Sequence, residues 1–107
     1  MEQYIVVLIT TGSPGEADRL SRGLVEHKLA FCVNTVPSIK STYFWEGKLN
    51  IDEECLLIVK TRASRFDDLK NWILENHSYS VPEVIALPIV KGLDAYLKGI
   101  DDWVPEK

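Results

Sequence analysis

Residues 3–11 (QYIVVLITT) are β-branched and apolar on both parities. That pattern predicts a central strand covered on both faces, or with one face packed on helices and the other on a partner. Ser13-Pro14-Gly15-Glu16 follows. It predicts a helix start, with Ser13 as N-cap, Pro14 at the first helical position and Glu16 closing a capping box. Ala17, Leu20 and Leu24 recur at helical spacing, with Arg19, Arg22 and Glu26 toward water. The helix should fade near His27-Lys28, where positive side chains suit the carboxyl end of the dipole.

The next pattern is two long strand-forming arms, residues 31–45 and 48–61, folded about Glu46-Gly47. At about 3.3 Å per residue each arm runs roughly 45 Å. A domain of this length has a radius of gyration of only about 13 Å. The tip, with Tyr43, Phe44 and Trp45, therefore needs cover from outside its own domain, most simply from another copy of the chain. Pro37 breaks the first arm or marks it as an edge. Residues 55–61 (CLLIVKT) read as another central strand.

Ser64 is placed to cap a second helix, with Asp67 three residues on and Phe66, Leu69 and Ile73 at helical spacing. That helix should end near Asn76-His77, with residues 78–82 as a loop. Residues 84–90 read as a fourth strand, put on an edge by Pro88. Residues 93–98 read as a short helix, followed by a tail ending in Trp103. The order is βαββαβ plus a C-terminal helix, an α+β, ferredoxin-like sandwich in one domain over residues 1–107. Helices on one face would leave the other face of an apolar sheet open, a second argument for oligomerisation.

Composition narrows the partners. The 107 residues suffice for one domain, and a hydrophobic fraction of 46% supports an ordinary core. A net charge of −4 argues against nucleic acid and anionic membranes. The longest uncharged apolar run, residues 4–9, is far short of a bilayer span. The N-terminus lacks a signal-peptide pattern, and Cys32 and Cys55 read as reduced thiols, so the expectation is a cytoplasmic protein.

Several stretches together resemble one family. They are Leu29-Ala30-Phe31-Cys32-Val33-Asn34, Pro37, Ser41, Tyr43, Trp45-Glu46-Gly47, Lys60-Thr61, His77-Ser78-Tyr79-Ser80-Val81-Pro82-Glu83, Pro88-Ile89 and Tyr96-Leu97. In order and spacing they are similar to the CutA family of small divalent-cation-tolerance proteins. The resemblance implies a ferredoxin-like fold, a tight homotrimer, a cytoplasmic location in microbes and a link to copper and other divalent metals. It also implies architectural kinship with the PII signalling trimers. Departures are visible. The family's His-Pro-Tyr is His77-Ser78-Tyr79 here. The Cys and second His of copper-linked bacterial members align with Ile9 and Asn76, so His77 alone remains of that set. The family's Tyr-Leu is usually followed closely by Trp-Leu, whereas Trp103 comes later here.

Among the residues that could carry chemistry, His77 and Glu83 form the best metal-ligand pair. The alternative for His77 is a helix end whose ring bonds a backbone carbonyl. Cys32 is either a small buried hydrophobe or a cleft thiolate whose pKa Lys60 lowers. Lys60 either snorkels outward or points into a cleft toward Glu83 or an anion. Tyr43, Phe44 and Trp45 fill an interface or stack on a planar ligand. Asp52, Glu53 and Glu54 read as a solvated acidic turn rather than a hard-cation site. No nucleophile motif surrounds either Cys, and no phosphate cradle is present.

The expectation is therefore a homotrimer that binds a metal ion, copper first, or a small effector between subunits, and not an enzyme. Its metal ligands would be His77, Glu83 and Cys32, with Trp45, Lys60 and Tyr79 binding the effector. No cofactor is expected to be essential. Two alternatives stand beside it: a PII-like sensor of a small anionic ligand without metal, and a structural assembly or anchoring protein.

Overall fold

A computed structural model describes residues 3–106. The elements are β1 (Tyr4–Thr11), α1 (Pro14–Glu26), β2 (Cys32–Trp45), β3 (Lys48–Arg62), a single 3-10 turn (Ala63–Arg65), α2 (Phe66–Asn76), β4 (Val84–Pro88) and α3 (Asp94–Trp103). One four-stranded sheet has the order β2-β3-β1-β4, with every neighbouring pair antiparallel. This is the expected ferredoxin-like α+β arrangement, with a long β2–β3 hairpin and a C-terminal helix.

Register decides which parity is buried, because residues directly opposite each other share a face. Ile5, Val7 and Ile9 stand opposite Thr61, Val59 and Leu57. These residues are buried with Leu20 and Leu24 of α1 and Leu69 and Ile73 of α2. The other parity pairs Val6 with Lys60, Leu8 with Ile58 and Thr10 with Leu56. On that face Ile85 and Leu87 of β4 remain 51% and 52% exposed. The strands were apolar on both parities, and the chain itself buries only one of them fully.

Helix α3 corrects the expectation that all helices lie on one face. Tyr4 and Arg62 are opposite each other on the open parity, and both are tied to the α3 segment. The Tyr4 hydroxyl donates to the Asp101 carboxylate at 2.8 Å. Arg62 donates to the carbonyls of Asp101 at 3.0 Å and Val104 at 2.5 Å. So α3 closes one end of the open face. It is also longer than expected, and Trp103 is its last residue rather than part of a tail. The indole of Trp103 donates to the Val25 carbonyl at 3.0 Å, anchoring the helix end.

Two helix starts behave differently. At α1 the Ser13 hydroxyl accepts from the Glu16 N–H at 3.2 Å, as the capping pattern requires. At α2 the expected Ser64 cap is absent: the 3-10 turn intervenes, and the Ser64 hydroxyl donates to the Glu106 carbonyl at 3.0 Å. Strand β4 stops at Pro88 rather than residue 90; one further rung, the Ile89 N–H donating to the Tyr4 carbonyl at 3.0 Å, ends its pairing with β1.

The hairpin outruns the body. Its turn places Glu46 at φ 52° and Gly47 at φ 81°, the left-handed pair of a tight two-residue hairpin turn. Between Val36 and Ile39 the register slips, at Pro37. The β1–β3 ladder ends at Thr11 and Cys55, so beyond Cys55 strand β3 has only β2 beside it. Phe44, Leu49 and Ile51 there are 71%, 67% and 59% exposed. The molecule is 43 Å in its longest dimension against 25 and 22 Å in the others.

Candidate functional site

A cleft of about 700 Å³ opens between the distal hairpin and the loop of residues 79–83. Ser41, Tyr43 and Trp45 reach it from β2, Thr10 from β1 and Glu54 from β3. Tyr79, Ser80, Val81 and Glu83 form the loop wall. Register explains the gathering: Tyr43, Asp52, Glu54 and Thr10 share the parity of the open sheet face.

Tyr79 closes the bottom. Its hydroxyl donates to Glu54 at 2.7 Å. The ring passes so close to Gly12 that a Cβ there would lie 3.0 Å from the Tyr79 oxygen. Burial, followed by the hydrogen bond to Glu54, pushes the Tyr79 phenol well above its ordinary pKa. Tyr43 donates to the Asp52 carboxylate, and that bond raises its phenol pKa as well. Both phenols therefore stay protonated donors.

Behind the cleft, His77 and Glu16 hold the loop. The His77 side chain is buried. Its Nε2–H donates to the Thr10 carbonyl at 2.7 Å, while Nδ1 accepts from the Tyr79 N–H at 3.0 Å. That pair of partners selects the neutral tautomer and uses both ring nitrogens. The Glu16 carboxylate accepts from the Ser78 N–H at 2.7 Å, the Ser78 hydroxyl at 3.1 Å and the Gly12 N–H at 3.4 Å. Burial alone would raise its pKa, but the donors from Ser78 and Gly12 outweigh that and hold it below the ordinary carboxylate range.

The expected site residues separate into three places. Trp45, Tyr79 and Glu83 meet in the cleft. His77 lies behind it, bonding backbone as the alternative reading had it. Cys32 and Lys60 are opposite each other at the far end of the sheet, with Lys60 Nζ 3.9 Å from Cys32 Sγ and bonded to the Asn34 amide oxygen. Six residues of β3 separate Lys60 from Glu54, about 20 Å of strand. Lys60 is therefore neither beside Glu83 nor in the cleft, and one chain does not assemble the His77, Glu83 and Cys32 set. Among the described residues no group of three or more His, Cys, Asp and Glu side chains is placed to hold a metal. Cys32 and Cys55 are both free, on opposite faces of the sheet.

Glu54 and Glu16 were the residues missed. Glu54 was read as part of a solvated acidic run, although it is 7% exposed. Its shared parity with Leu56 and Ile58 was the available signal. Glu16 was read only as a helix cap, and no sequence pattern reports its reach to Ser78, 62 residues away.

The strand order and hairpin define a ferredoxin-like α+β protein with an overlong β2–β3 arm. The model of the CutA1 divalent ion tolerance protein family matches residues 5–105, and the chain belongs to that family. It is 46% identical over 101 residues to the divalent-cation tolerance protein CutA of Thermus thermophilus, covering 94% of each. It is 50% identical over 94 residues to the chloroplastic protein CutA of Arabidopsis thaliana, which covers 88% of this chain. The chain spans 52% of the Arabidopsis relative and 58% of a rice one. The crystal structure of CutA1 from Oryza sativa superposes with a TM-score of 0.95 at 45% identity, covering 99% of this chain and 97% of that one.

These relatives overturn the cytoplasmic expectation. The Arabidopsis and rice proteins are named as chloroplastic, and the similar Archaeoglobus fulgidus structure is named as that of a periplasmic protein. Compartment is addressed by targeting segments, not by the packed body these proteins share. Reduced thiols and modest charge therefore do not report it.

Proposed function

We propose that the chain is a non-covalent binding protein that works as a homotrimer, with the hairpin cleft as its ligand site. It would act in the divalent-cation tolerance for which its family is named. The observation that carries this is the unshielded apolar surface at the hairpin and sheet: Phe44, Leu49 and Ile51 at the tip, Ile85 and Leu87 on the open face. Each large side chain moved from water into a contact is worth roughly 1.5–3 kcal/mol. The tip and the open face are different surfaces, so each tip can seat on the next chain head to tail, an arrangement that closes as a ring. Three copies form the smallest such ring.

Copper bound through His77 finds little support, since both ring nitrogens are occupied within the chain. A PII-like site for an anionic effector finds none in the cleft, where no basic side chain lines the wall. An anchoring role remains the reading to adopt if no ligand changes the protein's thermal stability.

Sedimentation at micromolar concentration tests the assembly. The expected result is a species three times the 12.2 kDa chain mass, shifting toward a single chain in Phe44→Asp. A well-ordered 12.2 kDa particle in the wild type would overturn the trimer.

A further inference from the structure

We propose that the hairpin cleft is a receptor for an organic ammonium cation, a positive nitrogen carried on a small apolar body. This rests on reading the cleft as the ligand site and names the class of ligand.

Charge is the first ground. Glu54 and Glu83 line the cleft, and no Lys, Arg or His does. Glu54 is only 7% exposed, yet among the described residues its one hydrogen-bond donor is the Tyr79 hydroxyl and it has no ion-pair partner. A buried carboxylate without a cation is costly, so a ligand that brings positive charge relieves it. An anion would add repulsion, and a neutral ligand would leave Glu54 uncompensated.

The second ground is the aromatic wall. Tyr43, Trp45 and Tyr79 line the cleft. Among the described residues Tyr43 and Trp45 stack on no other ring. The chain's own cation–π contact lies elsewhere, with Lys28 Nζ 4.7 Å from the Trp103 ring centre. The faces that attract a desolvated cation are thus left for a ligand.

Size and donor set separate the organic cation from a metal ion. The volume of about 700 Å³ is that of a small-molecule site. Two carboxylates without a third ligating His, Cys or acid make a poor cage for a bare ion. An alkylammonium needs no fixed coordination number, only negative potential and ring faces.

Calorimetry on the intact protein tests this, with choline and dimethylbutanol, its uncharged isostere of the same shape, and sedimentation run on the same samples. The expected result is choline binding about tenfold tighter than the isostere. Glu83→Gln and Glu54→Gln should each weaken choline several-fold. Glu83 is exposed, so its variant removes charge without disturbing the fold. Equal affinity for choline and the isostere, or choline affinity unchanged in both variants, would overturn the proposal. So would an absence of choline binding, the result expected if a neighbouring subunit's Lys or Arg fills the cleft. Failure to bind in a protein that sediments as a trimer sinks this inference alone. A single chain that binds choline sinks the assembly and leaves the ligand class standing.

Discussion

The Glu16 carboxylate of α1 and Ser78 in the loop after α2 are joined by two hydrogen bonds, 2.7 Å from the Ser78 N–H and 3.1 Å from its hydroxyl. They pin the start of the loop that forms one wall of the cleft.

This pairing makes stability depend on acid. Burial opposes ionisation of Glu16, but the donors from Ser78 and Gly12 win, and the folded pKa lies below the ordinary value. A carboxyl lowered on folding contributes stability above its unfolded pKa of about 4.3. That contribution is lost as pH falls through the folded value. Glu16→Gln should therefore cost about 1–3 kcal/mol at neutral pH, with the gap to wild type shrinking in acid. Urea midpoints across the acid range read this, and a constant gap would assign the loss to packing.

His77 should behave as a structural residue. Its ring joins the Thr10 carbonyl to the Tyr79 N–H. His77→Ala should lower stability by about 1–3 kcal/mol through the groups it leaves unpaired. Copper calorimetry should return the same stoichiometry and affinity for both proteins. A binding site lost in the variant would restore His77 to the metal set.

Gly23 marks the closest approach of the two helices on the covered face. A Cβ there would lie 2.4 Å from Cη2 of Trp72. Alanine favours a helix by up to about 1 kcal/mol over glycine. The displaced indole should outweigh that, with overpacking costing about 1–3 kcal/mol. Gly23→Ala is expected to lower the melting temperature and shift tryptophan emission. A rise in melting temperature would mean that Trp72 moves aside freely.

At the hairpin turn, Glu46 holds φ 52°, a conformation costly for most L-residues but tolerated by Asn. Glu46→Asn should stabilise by about 0.5–1 kcal/mol, seen as a higher denaturant midpoint with an unchanged slope. No gain would mean that Glu46 makes compensating contacts in the assembled protein.

Ser64 provides a control. A true N-cap lost to alanine costs about 1 kcal/mol. Ser64 bonds the Glu106 carbonyl at an exposed site instead, so Ser64→Ala should change stability by less than about 0.5 kcal/mol. A full cap-sized loss would show that the hydroxyl serves the helix start after all.

Local chemistry made the elements legible. Ser13 and Pro14 open α1 where expected, Glu46-Gly47 turns the hairpin, and Pro37 and Pro88 sit on edge strands. Each effect acts within a few residues, through a missing N–H, a permitted φ or a hydroxyl in reach. The apolar runs on both parities of β1 and β3 also announce a two-sided burial problem. Ser64 escaped because its cap geometry competed with a distant carbonyl, and α3 outran its pattern because Trp103 found the Val25 carbonyl on α1.

The chain's own order of residues determined its strands, its turns and its family. Only the tertiary structure decided the site. It set Glu54 against Tyr79, turned His77 inward and carried Cys32 and Lys60 to the other end of the sheet. The physical reason is range. Periodicity and capping are read over one or two turns of chain, whereas a cleft is made by register between strands and by bonds such as Glu16 to Ser78. Those depend on where distant segments come to rest.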